Sequence, residues 1–594
     1  MLSRITAGAA TALLVSLAGS PALHADESEP TVDELMVQIE WMQAQMATLL
    51  EQVRDIQSEN ETLTAETSEL KDDTAYLEEE VEILDDRVMV AEKHAILDKV
   101  RMSGDFRFQA HSIQGDIPDH FDGIGIQGDL VNTLFFFQSS GAPPADLDQV
   151  NDFIRDNYAD YLYFTDNLTF DDLKGAVGQI PPELMDQLMP MLAENNFVRG
   201  YNHDNDIVYT NRLRLRVQAD VAEDVKFDGR LSMYKTWGDS TGVQVFNGQP
   251  TSINWDGTTS SVPNSDVLRV ERAYFTWSDI AGLPAYLSIG RRPSTGGAPL
   301  NFREDEPRGG TPLGSLINYQ FDGITLGYHL MDESTIRLCY GLGYESEWGN
   351  GSELQRPSDR LDDAWFLGVN WDIWDTDRMF IQGTYATAQD VTDGFNGLVV
   401  LPVDPLTGQD VPGPGVLRYT PSSNIGDIDL ASLIVIRHDG PFDYFASINY
   451  SSSDPENVTT PFGGLFSDPF ETPDDEDGHM YYLGARYNFD GGRTKIGAEF
   501  NHGSKYWFNF ALAEDDFLAP KTSVRGDVWE LYVTHRIRDA FVLKLDYIDY
   551  SYDYSGSGWL LGSPKDLSDN PPPVLGFPTY DDASKWMLSF SARF

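Results

Sequence analysis

The chain has 594 residues, 41% of them hydrophobic and 12% aromatic, with 51 glycines and a formal net charge of −54. That charge excludes nucleic acid as a partner, because a phosphate backbone would be repelled rather than neutralised. No run of 18 or more apolar residues supplies a helical membrane span. Cys339 is the sole cysteine, which leaves no disulfide framework, no C-x-x-C-H haem attachment and no N-terminal lipidation site; no cofactor is expected.

Residues 1–25 read as a signal peptide. Arg4 gives the positive start, Ala7 to Ala18 the short apolar core, and Ala22-Leu23-His24-Ala25 the small residues of a cleavage site. The mature chain is then expected to begin in the periplasm of a two-membrane bacterium.

Residues 26–99 carry a heptad seam. Leu35, Met42, Leu49, Ile56, Leu63, Leu70, Leu77, Leu84 and Ala91 repeat every seven residues. They are interleaved with Ile39, Met46, Val53, Asn60, Thr67, Thr74, Val81, Val88 and Ala95. A seven-residue period held this long predicts a long α-helical coiled coil. Asn60, Thr67 and Thr74 place polar groups inside the seam, which costs stability and fixes register; a buried Asn favours parallel pairing. Parallel self-association is expected, with a trimer favoured over a dimer by analogy with large porins. The flanking positions are mostly acidic, so cross-helix salt bridges are not the main glue. Divalent cations or a basic periplasmic partner would offset that charge.

After Lys99 the apolar period changes from 3.5 to 2, which marks a domain boundary. Residues 100–594 read as an all-β transmembrane antiparallel barrel. In Arg212-Leu213-Arg214-Leu215-Arg216-Val217 the apolar residues share one face and the arginines the other. About sixteen such segments occur, near 100–111, 207–221, 225–237, 267–278, 284–292, 315–330, 334–345, 363–373, 377–388, 427–437, 442–452, 478–489, 494–503, 524–536, 540–552 and 585–594. The gaps between them alternate short and long, as expected for periplasmic turns and outer loops. Trp237, Trp277, Tyr286, Trp365, Trp371 and Tyr550 are expected in the interfacial aromatic girdles, against outer-membrane lipid.

Inward positions include Arg101, Arg107, Arg212, Arg214, Arg216, Arg230, Arg272 and Arg291, opposed by Asp105, Asp220 and Asp228. They could form a basic ladder that favours anions, or pair across strands and hold the wall together; polar barrel interiors make the second the commoner arrangement. The outer loop 112–206 contains a helix-like piece, Pro181 to Leu192, and either constricts the lumen or caps the mouth. At its end Asp204 and Asp206 suggest a Ca²⁺ site, although the EF-hand pattern is missing and solvated turn residues are the commoner reading of such a cluster. At the C-terminus Trp586, Leu588, Phe590 and Phe594 alternate outward. A terminal aromatic on such a strand resembles the signal that directs outer-membrane proteins to barrel insertion.

The stretch Ala95 to Arg107, with Glu271-Arg272-Ala273-Tyr274 and Gly290 to Thr295, resembles a family of porin-like outer-membrane proteins with N-terminal coiled coils. The layout is also similar to phosphate-selective porins, without their lysine-rich anion pathway. The resemblance implies an outer-membrane pore for passive diffusion of small hydrophilic solutes or ions. A tether between membrane and cell wall, and a barrel sheath around a separate periplasmic haem protein, are the alternatives. An enzyme is not expected: His111, His438, His502 and His535 show no Ser-His-acid spacing.

Overall fold

The computed structural model describes residues 32–238, 265–346, 361–393, 399–400, 415–416, 423–511, 515–518, 520–568, 570–575 and 579–594. The expected signal peptide lies outside the described residues. The chain divides into two units, Met1–Ile96 and Leu97–Phe594.

The first unit is dominated by helix α1, Val32–Lys99, 68 residues long. At 1.5 Å per residue it runs on the order of 100 Å. Its seam residues Ile39, Met42, Met46, Val53, Ile56, Leu63, Leu70, Val81 and Leu84 are all solvent-exposed in the single chain. Thr67 and Thr74 turn their hydroxyls onto the carbonyls of Leu63 and Leu70, each at 2.6 Å.

The second unit is a closed antiparallel barrel. Its strands are β1 Val100–Ile117, β2 Val208–Asp220, β3 Val225–Thr236, β4 Ser265–Trp277, β5 Ala285–Arg291, β6 Asp322–Met331, β7 Ser334–Tyr344 and β8 Ala364–Asp375. They continue as β9 Met379–Thr392, β10 Asn424–Asp439, β11 Phe442–Pro455, β12 Asp477–Phe489, β13 Thr494–Gly503, β14 Gly526–Arg538, β15 Phe541–Tyr552 and β16 Asp582–Arg593. A short strand, Tyr201–Asp204, adds to the outer end of β1 and makes the sheet seventeen-stranded; sixteen strands form the wall. Each strand pairs with its chain neighbour, and β1 closes the ring on β16 from Asp105↔Arg593 to Asp116↔Asp582. Phe594 and Gly104 exchange backbone hydrogen bonds at 2.8 and 3.0 Å just beyond.

Alternation sets the two faces. On β16, Trp586, Leu588 and the chain-terminal Phe594 point out and are exposed, while Lys585, Met587 and Ser589 point in and are buried. Phe590, on the outward series, stacks on Phe541 at 5.6 Å. The same rhythm exposes Leu326, Leu338, Val369, Leu433, Ile448, Leu483, Ile496, Leu531 and Leu545 around the ring, an apolar belt suited to hydrocarbon. Trp237, Trp277 and Trp371 lie on this outer surface, and Trp365 stacks with Tyr340. Tyr286 and Tyr550 do not belong to the girdle. Tyr550 is buried inward, and the Tyr286 hydroxyl accepts from Arg337 Nε at 2.9 Å. Their strand-end positions misled, because hydroxyl-bearing rings also serve as inward wall groups.

The wall strands match the sequence reading except at their ends. The expected strand 315–330 begins at Asp322, because Leu313, Leu316 and Ile317 are fully buried inside the barrel rather than in its wall. An apolar run looks the same in either place.

The first long loop folds into five helices: α2 Gly123–Ser140, α3 Leu147–Asp156, α4 Tyr158–Asn167, α5 Phe170–Val177 and α6 Pro182–Asn195. Asp122 caps α2 by accepting from the amides of Ile124 and Gly125. Gly141 ends it at φ +74°, a conformation open to glycine. Leu192 of α6 packs with Leu130, Leu134 and Leu173. This cluster rests on the outer loop 456–476, through Gln127 Nε2 to the Pro461 carbonyl at 2.7 Å and Lys174 Nζ to Thr459 Oγ1 at 3.1 Å. The loop therefore caps neighbouring loops. The segment that enters the lumen is another one.

The in–out assignment predicts the effect of a charge on the belt. Leu531→Arg, at an exposed outward position, should destabilise the barrel by about 2–4 kcal/mol if it lies near the bilayer midplane. Urea titration of folding into lipid vesicles measures this.

Candidate functional site: an arginine-lined lumen

Residues 292–321, between β5 and β6, cross the barrel interior. A run of four charged residues ties this segment, rooted between β5 and β6, to the arc of the ring from β13 through β16 to β2. Arg303 Nη1 donates to Glu530 of β14 at 2.9 Å. Glu304 accepts from Lys544 of β15 at 2.9 Å. Asp305 accepts from Arg536 of β14 at 3.1 Å and pairs with Lys495 of β13. Glu306 lies 3.8 Å from each of Arg212, Arg214 and Arg593. Further along, Arg308 pairs with Asp375 at 2.9 Å, and Gln382 donates to the Thr311 carbonyl at 2.9 Å.

The opposite flank of the segment is apolar. Leu313, Leu316 and Ile317 pack with Phe366, Phe445, Trp507 and Phe508. A second inward stretch runs alongside, since Asn318 N donates to the Phe510 carbonyl at 2.6 Å and Phe510 N to Leu316 at 3.0 Å. The lumen is thus filled on the β8–β12 side and polar on the β1–β4 side.

On the polar side lies a cavity of about 1060 Å³, including its open mouth. Seven arginines line it: Arg107, Arg212, Arg214, Arg230, Arg269, Arg272 and Arg303. They face four carboxylates, Glu271, Glu304, Glu306 and Asp515. Asp515 is the hub, 2.7 Å from both Arg107 Nη2 and Arg212 Nη1. Arg212 also reaches Asp105 at 3.2 Å. Arg230 Nε donates to Glu271 at 2.7 Å. Arg272 serves as a staple, donating to the carbonyls of Gly309 and Thr295, each at 2.9 Å. Arg214 differs from all of these: its two ion pairs, to Glu306 and Asp515, are 3.8 and 3.9 Å long, beyond hydrogen-bond length. Its donors are therefore left to the cavity.

Of the eight arginines anticipated on the inner face, Arg107, Arg212, Arg214, Arg230 and Arg272 meet in this cavity. Arg101 pairs with Asp220 at 3.5 Å and Arg216 Nε with Asp228 at 2.8 Å, both toward the short-turn end of the wall and both largely exposed. Arg291 pairs with Asp322 at 3.2 Å across β5 and β6. Sequence reasoning missed Arg269, Arg303, Glu304, Glu306 and Asp515. The run Arg303-Glu304-Asp305-Glu306 was the available signal, an arginine followed by three carboxylates in what read as an outer loop.

At Asp204 and Asp206 the structure gives the intervening residue a structural task, as Asn205 Oδ1 accepts from Ile113 N at 2.6 Å. Among the described residues no group of three or more His, Cys, Asp or Glu side chains converges. His438 pairs with Asp443 at 2.6 Å and His502 with Asp527 at 2.7 Å. His111 and His535 bond the hydroxyls of Thr210 and Thr494. Among the described residues none of these rings joins a carboxylate and a hydroxyl in one hydrogen-bonded chain.

A closed antiparallel wall, an apolar outer belt and a charged lumen crossed by an inward segment define a porin-like barrel. The chain belongs to the family described as "Protein of unknown function (DUF3373)", whose model matches residues 202–594. Among solved structures it is similar to OprB of Pseudomonas putida, at 10% identity over 85% of this chain and 96% of that one, with a TM-score of 0.37. It is likewise similar to Salmonella typhi OmpF in complex with daunomycin, at 8% identity over 84% and 98%, TM-score 0.38. An anion-selective porin from Comamonas acidovorans matches at 9% identity over 84% and 100%, TM-score 0.39. No curated protein sequence matches the chain.

The buried end of the charge network is where its energetics are most testable. Glu530 has a fully buried side chain and serves Arg303, Lys521 and Lys544 together. Glu530→Gln leaves those cations under-compensated and should cost about 3–5 kcal/mol. The loss would read as a lower denaturant midpoint in guanidinium unfolding of the micelle-refolded protein.

Proposed function

We propose that this protein is an outer-membrane channel for passive diffusion of small hydrophilic solutes, with anions preferred over cations. The carrying observation is the cavity's surplus of guanidinium groups, seven against four carboxylates. A charged constriction biases which ions pass, because its field acts at close range in a low-dielectric wall. The long charge-bearing segment 292–321 narrows the lumen on one side. What crosses must therefore pass close to Arg214 and its neighbours, and selection by charge rather than by size alone follows. The −54 of the whole chain does not bear on this, since the acidic seam flanks of α1 and the loops hold much of it.

The apolar belt supports insertion in lipid, and closure of β1 on β16 removes the exposed edge that lipid could not satisfy. In this reading α1 projects into the periplasm. Its exposed seam supports a parallel coiled coil between copies of the chain, a trimer before a dimer. The same exposed seam favours a second reading, in which α1 ties the outer membrane to a cell-wall or periplasmic partner.

Planar-bilayer recording under a KCl gradient tests the pore. Steady open conductance with a reversal potential on the chloride side is the expected result, and Arg214→Glu should move that potential toward the potassium side. A protein that stays closed at every voltage would defeat the channel reading. Deleting residues 26–95 tests self-association through α1 apart from the pore: conductance should persist, while sedimentation should show loss of the trimer.

A further inference from the structure

Arg292 sits at the start of the inward segment, immediately after β5. Its backbone amide donates to the Phe321 carbonyl at 3.0 Å. Its guanidinium stacks over the ring of Tyr274 with 5.6 Å to the centroid. Nη1 is buried with no hydrogen-bond partner, and among the described residues no carboxylate pairs with this side chain. The side chains that act on it electrostatically include Cys339, Tyr286, Tyr274 and Arg337, and none of these is a carboxylate. Arg337 is already taken by Asp372 at 2.8 Å. Arg292 is half-buried, and an Nη1 shut away from water with no acceptor is costly, since its desolvation is uncompensated.

Beside Arg292 the barrel holds a second cavity, about 580 Å³ with its mouth. Ile317, Phe321, Phe366 and Ala386 line it, with the rings of Phe321 and Phe366 stacked at 5.1 Å. Gly323, Gly341 and Gly368 lie on three adjacent strands and flatten the floor. The polar groups in this wall satisfy one another: Thr325 Oγ1 donates to Cys339 Sγ at 3.3 Å, and Asn370 Nδ2 to Thr384 Oγ1 at 2.9 Å. What remains is an apolar chamber with one unpaired cation at its edge.

We propose that this chamber is a binding site for a small monoanion with an apolar body, such as an aromatic or short-chain carboxylate, whose carboxylate pairs with Arg292. The apolar body gains by leaving water, and the guanidinium gains the charge-assisted bidentate bond it lacks. The site is distinct from the arginine-lined cavity between β1 and β4. It does not require the protein to conduct ions, so the two readings stand or fall separately.

The test uses the full chain refolded into phosphatidylcholine nanodiscs. Equilibrium dialysis measures 2-naphthoate, with 2-naphthalenemethanol as the neutral analogue. Saturable binding of the carboxylate at one site is expected, at least about tenfold tighter than the alcohol, the difference expected of one hydrogen bond to a charged group. Arg292→Met should remove that preference and Arg292→Lys should keep most of it. Gly368→Val, which fills the floor and leaves Arg292 in place, should weaken carboxylate and alcohol alike. Cys339 provides the location: saturating naphthoate should slow its alkylation by monobromobimane severalfold. Equal uptake of acid and alcohol, the same binding by Arg292→Met, or no saturable binding at all would each overturn the proposal.

Discussion

Every backbone amide in the wall of this barrel must find its partner inside the protein, because hydrocarbon offers none. Sixteen strands meet that demand only by closing on themselves, and the β1–β16 ladder with its Phe594–Gly104 exchange completes the circuit. Once closure fixes the ring, alternation fixes everything else about the wall. Each outward residue is committed to lipid, and each inward residue to whatever the lumen holds. The inner face is then free of the lipid constraint. Here it is divided between an apolar, filled half and a charged, open half.

That division decides what the charges are for. Lys521 between Glu499 and Glu530, and Lys585 on Asp516 at 2.6 Å, are shielded from solvent and act as braces. Such pairs do not add much net stability over well-packed apolar groups, but they are intolerant of losing one member. The arginines of β1 to β4 are different, as they border open space and share fewer carboxylates than they need. Brace and cavity lining are built from the same residue types and differ only in how many partners reach them. Arg272 and Arg214 illustrate the contrast: neighbours two strands apart in the ring, one fastened to carbonyls and one left to the cavity.

The wall was legible in the sequence because a period of two survives whatever fills the lumen. Leu213, Leu215 and Val217 against Arg212, Arg214 and Arg216 needed no tertiary knowledge to read. The lumen was not legible for the same reason. Leu316 and Ile317 read as strand, since burial inside a barrel and burial within a sheet leave the same apolar trace. The first loop drew attention by its length, yet its helices cap outer loops, while the shorter 292–321 does the crossing. Most of the cavity's strand arginines were found, as with Arg107, Arg212 and Arg230; Arg269 of β4 was missed, where a register shift interrupts the alternation. Arg303, Glu306 and Asp515 were missed because only the folded path of the chain brings loop residues against the wall.

The chain order of those contacts has a kinetic side. The segment 292–321 is made before the strands that hold it: Lys495, Glu530, Arg536 and Lys544 all lie some 190 to 240 residues further along. Arg272 and Arg308 fasten the segment to early strands, but the run Arg303 to Asp305 has no wall partner until the C-terminal third of the chain is in place, and loops of that span close late. The middle of the crossing segment can therefore be fastened only after β13 to β15 are in place, whereas its ends can be held by strands already made.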